Sequence, residues 1–201
     1  MTSMTDHRPT SSPKRKGQLK LLAIFFVVLG PILLAGIMAK FELGIPQSLT
    51  NKTALVEPPL NVADWHLPLA QIGYGAPWRL VITVPDDCSE ACLTLIHEAR
   101  QIDIATGREA DRVEQVLALG QTASPELVER LTKSYPQLQQ IPLVVASYLH
   151  SLSDYPVDWQ NGPQLWVIDP LGRVVLHREA GNSGKELLDD LVRLLKVSKI
   201  G

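Results

Sequence analysis

The pattern of apolar and polar residues divides the chain into one long uncharged stretch and a series of short alternating segments. The uncharged stretch covers residues 21–39. A helix of that length, at about 1.5 Å per residue, matches the hydrocarbon thickness of a bilayer. A cleaved signal peptide would have a shorter apolar core followed by an A-x-A-like site, which is not cleanly present here. We therefore expect a single transmembrane helix over residues 19–40.

Basic residues flank this predicted anchor on one side. Residues 1–20 hold five Lys or Arg and one acid, so the positive-inside rule places the N-terminus in the cytoplasm. The expected location is the cytoplasmic (inner) membrane, with a single pass and a periplasmic C-terminal domain. Residues 1–18 are rich in Thr, Ser, Pro and Lys, and this composition favours a disordered cytoplasmic tail.

The region after the anchor predicts strands that alternate with helices. Residues 41–76 are rich in proline and weakly periodic, so we expect an extended lead that lies over the domain, outside its sheet. Periodicity then predicts strands at 78–84, 112–119, 164–168 and 173–177, a short strand or the start of a loop at 141–146, and helices at 88–106, 124–133 and 183–197. This order indicates an α/β domain over residues 77–201, with a mixed sheet flanked by helices.

The net charge of the chain bears on whether a nucleic acid is its partner. The chain has 19 Lys or Arg and 21 Asp or Glu, so residues 21–201 carry 14 bases and 20 acids. A net charge of −6 on this part argues against nucleic acid as a partner.

The chemistry-bearing motif is a cysteine pair, Cys88 and Cys92. With Asp87 as N-cap and Glu90 at N3, Cys88 is expected at the first helical position and Cys92 one turn later on the same face. A Cα separation of about 6 Å suits a disulfide, and two thiolates on one face suit Cu(I) equally well. A structural disulfide and two buried thiols are the alternatives.

These features resemble the Sco/SenC family of membrane-anchored, thioredoxin-fold proteins that help to assemble the copper sites of cytochrome c oxidase. The likeness rests on the anchor, the C-x-x-x-C helix that runs into Gly107–Val113, and the hairpin Ile168-Asp169-Pro170-Leu171-Gly172 with its closing helix. It implies a thioredoxin-like fold and a bacterial accessory protein whose partners are cytochrome c oxidase subunits or other assembly factors. It also implies that Cys88 and Cys92 bind copper or exchange electrons.

The sequence departs from the family at the third copper ligand. The family's histidine is expected just before the strand that leads into the D-P-x-G turn, where this chain has Asn161. His150, in the predicted loop 148–158, is the best-placed replacement ligand by residue type and position. His66, His97 and His177 read as packed or solvent-facing residues.

Pro163 precedes the strand at 164–168 and resembles the cis-proline beside the cysteines of thioredoxin-like proteins. A proline that ends the turn at Asn161-Gly162 is the other interpretation.

Two function hypotheses follow. The first is copper delivery to the oxidase, or thiol–disulfide reduction of its copper site, through Cys88 and Cys92. The second is a non-catalytic assembly scaffold with a structural Cys88–Cys92 disulfide.

Overall fold

The computed structural model describes residues 13–40, 53–121, 123–179 and 181–198. The chain separates into two units, one that contains the N-terminal helix and one that begins at residue 50. Each unit is described by itself.

The N-terminal unit contains a single long helix, α1 (Pro13–Lys40), with Pro31 in its interior. It includes the predicted anchor and begins ahead of it; residues 1–12 of the predicted tail lie outside the described residues. Large apolar side chains are exposed along it, including Phe25, Phe26 and Leu33. Within the described residues, no helix has the length and apolar character that crossing a membrane requires.

The second unit alternates strands and helices. Its strands are β1 (Ala54–Asn61), β2 (Trp78–Val84), β3 (Val113–Leu119), β4 (Leu138–Pro142), β5 (Gln164–Ile168) and β6 (Arg173–His177). Its helices are α2 (Glu90–Thr106), α3 (Pro125–Ser134), α4 (Val145–Ser151) and α5 (Gly184–Val197). Short 3₁₀ helices lie at Val62–Trp65, Gly107–Arg112 and Val157–Gln160.

The strands form one mixed sheet in the order β1-β6-β5-β2-β3-β4. Strands β2, β3 and β4 are parallel, whereas β5 runs antiparallel to β2 and β6 antiparallel to β5. The carboxyl ends of the three parallel strands therefore lie along one edge of the sheet, where open α/β sheets commonly bind ligands.

Side chains of the central strand β2 alternate between two core layers, as the twofold period of a strand requires. Leu80 faces the layer that contains α2 and α5, and Val81 faces the layer that contains α4. In the second layer the Thr83 hydroxyl accepts from Trp166 Nε1 and donates to Tyr148 Oη, each at 2.9 Å. The hydrogen-bonding groups of Thr83, Tyr148 and Trp166 are thereby paired in the core.

The structure corrects the sequence prediction for the extended lead, residues 41–76. Part of the segment 41–76, which we expected outside the sheet, forms the edge strand β1 and pairs antiparallel with β6. The register shifts between Leu55 and Leu60, on either side of Pro58 and Pro59. Prolines lack an N–H for the ladder and are tolerated on edge strands, and their interruption of the alternation hid this strand from pattern analysis.

The structure also corrects the prediction for residues 141–146, which were expected to form a short strand or the start of a loop. The apolar run there straddles two elements, since β4 ends at Pro142 and α4 begins at Val145. Leu143 N donates to Leu119 O at 2.8 Å and thereby holds this junction against the end of β3. The periodicity of a short apolar run does not distinguish a strand from a helix. This run contains the end of strand β4 and the start of helix α4.

The C-terminal third confirms the predicted hairpin and closing helix. The turn between β5 and β6 is held by the Asp169 carboxylate, which accepts from the backbone N–H groups of Leu171 and Arg173. Gly172 has φ 84°, a conformation that glycine adopts without strain. Helix α5 begins with a capping box between Ser183 and Glu186, which satisfies N–H groups that the first helical turn leaves free.

Candidate functional site

The cysteine pair lies at the carboxyl end of β2, where the chain turns into α2. Cys88 and Cys92 form a disulfide with their Cα atoms 5.2 Å apart. That separation lies within the range that a disulfide spans without backbone movement. The structure thus brings the two residues together as the spacing predicted.

The start of α2 differs from the prediction. Ser89, not Asp87, is the N-cap residue, and Glu90 is the first residue of the helix. Cys88 therefore precedes the helix, while Cys92 lies in its first turn. The disulfide joins the loop after β2 to the helix, since only one of the two cysteines belongs to a regular element.

The two cysteines differ in exposure. Cys92 is fully buried in the core layer that contains α2, together with Leu95 and Ile96. Cys88 is half-buried and lines a cleft of about 310 Å³ whose other walls include Leu119 and Leu127. Of the two cysteines, Cys88 therefore has surface open to the cleft and Cys92 has none.

Charges near Cys88 have opposing effects on a thiolate. The N-terminus of α2 carries the positive end of the helix dipole and favours thiolate formation. The exposed carboxylates of Asp86, Asp87 and Glu90 surround the cysteine in sequence, and negative charge disfavours a thiolate nearby. The acidic residues therefore oppose the helix in setting the reactivity of this thiol.

Gly120, which the sequence analysis did not single out, holds the loop that carries Cys88. Its N–H donates to Val84 O at 2.8 Å. A Cβ at this position would lie 2.4 Å from Pro85 O and 2.4 Å from a methyl group of Val145. Only glycine permits the backbone to come this close to Pro85 and Val145. The position of Gly120 directly after a predicted strand was the signal in the sequence that could have pointed to this role.

Pro163 and Asn161 lie at the same end of the sheet as the cysteines. Gln164 is opposite Thr83 in the β2–β5 register, so Pro163 lies beside the end of β2. The cis interpretation of Pro163 is wrong, because the cis peptide bond among the described residues precedes Pro58. Pro163 and Asn161 line a cavity of about 650 Å³ together with Trp159 and His177.

His177 is held neutral within this cavity wall. Gln164 Nε2 donates to the carbonyl groups of Asp158 at 3.0 Å and Asn161 at 2.6 Å, so its Oε1 is left to accept from His177 Nε2 at 2.8 Å. Burial, assisted by the charge of Arg178, lowers the pKa of His177 to about 3. Nδ1 of His177 is buried and has no hydrogen-bond partner among the described residues.

His150 does not lie with the cysteines. It is an exposed residue of α4, not of a loop as predicted, and α4 packs in the layer of Tyr148 and Leu152, on the face of the sheet opposite α2. Asn161, where the resemblance led us to expect a histidine, donates its side-chain N–H to Val157 O at 3.1 Å. Among the described residues, no group of three or more His, Cys, Asp or Glu side chains is arranged to hold a metal ion.

The fold and the site together define a thioredoxin-like domain with a cysteine pair where the first parallel strand meets its helix. The chain belongs to the family described as transmembrane-like, thioredoxin-like, C-terminal domain, whose model matches residues 78–198. A second model, described as transmembrane-like, N-terminal domain, matches residues 11–42.

Sco proteins, the family that the sequence resembles, are among the solved structures similar to the chain. Copper-bound ScoI of Bradyrhizobium japonicum is 18% identical, with a TM-score of 0.42 over 60% of this chain and 86% of that one. Copper-bound yeast Sco1 is 14% identical, with a TM-score of 0.46 over 63% of this chain and 81% of that one.

A thiol:disulfide interchange protein from Bacteroides sp. is 13% identical, with a TM-score of 0.44 over 75% of this chain and 95% of that one. At these levels of identity the similarity concerns the fold alone. No match is found among curated protein sequences.

Proposed function

We propose that the protein is a membrane-anchored thiol–disulfide exchange protein that assists cytochrome c oxidase assembly on the periplasmic side of the cytoplasmic membrane. The observation that carries this proposal is the unequal exposure of the pair, with Cys88 reachable from a cleft and Cys92 buried behind it. Exchange through a mixed disulfide needs one sulfur that a partner can reach and a second that lies close enough to attack the first.

The proposed reaction begins with the reduced pair. The Cys88 thiolate attacks one sulfur of the partner's disulfide, which forms a mixed disulfide and releases one partner thiolate. The Cys92 thiolate then attacks Cys88 Sγ, releases the second partner thiol and forms the Cys88–Cys92 disulfide. Two electrons pass from the protein to the partner, so an external dithiol must reduce the protein for another turnover.

The anchor and the compartment are part of the proposal. Support comes from the transmembrane-like family model at residues 11–42 and from the uncharged run at 21–39, with basic residues before it. A periplasmic domain would meet oxidants that form disulfides. Labelling of Cys88 in whole cells by a membrane-impermeant thiol reagent after mild reduction tests this orientation, and labelling only after lysis would contradict it.

Copper delivery is the second candidate function. In the disulfide form the two sulfurs are bonded to each other, and the described part of the chain places no group of three or more His, Cys, Asp or Glu side chains for a metal ion. The residues as arranged therefore do not form a copper site. The observation that favours copper is that Asp86 and Asp87 line the cleft of Cys88, and negative charge attracts a cation once the pair is reduced. Anaerobic Cu(I) titration of the reduced chain against a competing chelator tests it, with the Cys88→Ser/Cys92→Ser variant as control.

The experiment that tests exchange measures the reduction potential of the pair and complementation in a strain that lacks the protein. We expect the full chain to reduce a disulfide-bonded peptide that carries the cysteines of the oxidase copper site, and to restore oxidase activity. Neither cysteine variant, Cys88→Ser or Cys92→Ser, should restore it. Full restoration by both variants would instead identify a scaffold with a structural disulfide.

A further inference from the structure

We infer that the partner segment attacked by Cys88 is extended, basic next to its cysteine and apolar a few residues away. This inference rests on the proposed thiol–disulfide exchange and names the substrate class of that same site. It is carried by the shape and charge of the surface that continues from the cleft at Cys88.

Two clefts lie side by side along the carboxyl ends of β2, β3 and β4. The cleft at Cys88 measures about 310 Å³, and a second of about 340 Å³ lies beside Ile141 and Pro142 at the end of β4. Leu119 and Ala123 line both clefts. We call the two clefts together the carboxyl-end groove, and it connects the reactive sulfur with the edge strand of the sheet.

The two ends of the carboxyl-end groove differ in polarity. The β4 end is walled by Leu119, Val128 and Ile141, which are half-buried or, for Val128, 39% exposed. Apolar side chains of a partner would lose contact with water there, which favours binding. The residues that line this end carry no charge.

The Cys88 end carries acidic charge. Asp86 and Asp87 are the charged residues that line it, both are exposed, and neither is in a salt bridge within the part of the chain that the structure describes. The Cys88 thiolate adds a further negative charge when the pair is reduced. A Lys or Arg beside the partner's cysteine therefore complements this end, and complementary charge accelerates encounter.

The distance between the two ends sets the spacing in the partner. Neighbouring strands lie about 4.8 Å apart, so β2 and β4 are separated by about 10 Å, and an extended residue covers about 3.3 Å. The apolar side chain is therefore expected about three positions along the segment from the partner's cysteine.

The test uses the reduced full chain in nonionic detergent and three peptides whose cysteine carries a thionitrobenzoate mixed disulfide. Their sequences are Lys-Lys-Cys-Ser-Ser-Leu-Val, Glu-Glu-Cys-Ser-Ser-Leu-Val and Lys-Lys-Cys-Ser-Ser-Ser-Ser. Each rate is divided by the rate of the same peptide with 2-mercaptoethanol, which removes the intrinsic reactivity of the peptide. We expect the first peptide to react about tenfold faster than either other peptide, with the charge preference lost at about 1 M salt.

Two matched pairs of variants locate the effect. Asp86→Asn/Asp87→Asn should abolish the charge preference, whereas Asp111→Asn, an exposed acid at the opposite end of β3, should retain it. Val128→Ser should abolish the apolar preference, whereas Val197→Ser, 77% exposed on α5, should retain it. Equal normalised rates for the three peptides, or preferences that these groove variants leave unchanged, would overturn the inference.

A binding measurement separates this inference from the proposed function. Peptides with Ser in place of Cys cannot exchange, and their affinity is read from fluorescence anisotropy. Selective binding of the basic, apolar peptide without any exchange would support the groove inference and refute the exchange proposal. Exchange with all peptides at equal normalised rates, without selective binding, would refute the groove alone.

Discussion

Cys92 is completely buried in the core, whereas Cys88, whose Cα lies 5.2 Å from that of Cys92, has part of its surface in an open cleft. The disulfide between them is therefore open to attack from one side only. The order of events in the proposed thiol exchange follows from this geometry, because the buried sulfur can act only on the exposed one.

The first prediction concerns trapping of a partner. In a Cys92→Ala chain, reduced Cys88 should attack a peptide disulfide and retain the peptide as a stable mixed disulfide, because no second thiol resolves it. Intact-mass measurement after acid quenching should show one peptide per chain. A Cys88→Ala chain is the matched control and should show little adduct; equal adduct on both chains would contradict the assigned roles.

The second prediction concerns stability. The disulfide joins residues four apart, and a loop this short removes little entropy from the unfolded chain. Reduction should lower the free energy of unfolding by about 2 kcal/mol at most, which urea denaturation of oxidised and reduced protein measures. Loss of cooperative folding on reduction would show that the bond is a structural requirement.

The third prediction concerns Gly120→Ala. The added Cβ meets the backbone oxygen of Pro85, which cannot move aside as a flexible side chain could. We expect a loss of about 1–3 kcal/mol in the free energy of unfolding and slower exchange, since the displaced loop carries Cys88. Gly181→Ala, with no atom within 4 Å of the added Cβ, is the control, and equal stability of the two variants would contradict the predicted clash.

The fourth prediction concerns pH. The pKa of His177 is about 3 in the folded chain and about 6.5 when unfolded, so below pH 6.5 the unfolded chain binds a proton that the folded chain does not. Stability from this group is complete above pH 6.5 and is lost as the pH falls towards 3. It should amount to about 2 kcal/mol between pH 7 and pH 5.

Urea denaturation of the wild type and of His177→Gln at these two pH values isolates this contribution, because other titrating groups are common to both. The wild type should lose more stability than the variant on acidification. An identical loss in the two proteins would show that His177 takes up its proton in the folded chain as well.

The elements that the sequence predicted best are those with local causes. The hairpin of β5 and β6 occurs at the predicted residues because Pro170 and Gly172 specify its turn and each strand is a short apolar run. Helix α5 follows from a capping box and one apolar stripe. In each case the information lies within about fifteen residues of the chain.

The elements that the sequence missed depend on distant partners. Strand β1 exists because Leu55 lies opposite Leu176 and Leu60 opposite Val174, pairings that no local pattern reveals. His150 was separated from the cysteines by the packing of α4 on the other face of the sheet. The position of His150 in the chain did not indicate the face of the sheet on which its helix would pack.

A C-x-x-x-C pair that follows the strand at 78–84 and leads into a helix can be recognised from the sequence alone, because strand, helix and cysteine spacing are all local properties. Folding, by contrast, establishes that Cys92 is buried and Cys88 half-buried, and that the cleft at Cys88 lies beside a second cleft at the end of β4. Exposure and groove shape arise from side chains that different elements bring together, and Leu119, Leu127 and Ile141 come from three of them. These contacts form only when the chain folds, so they appear in no segment of the sequence read alone.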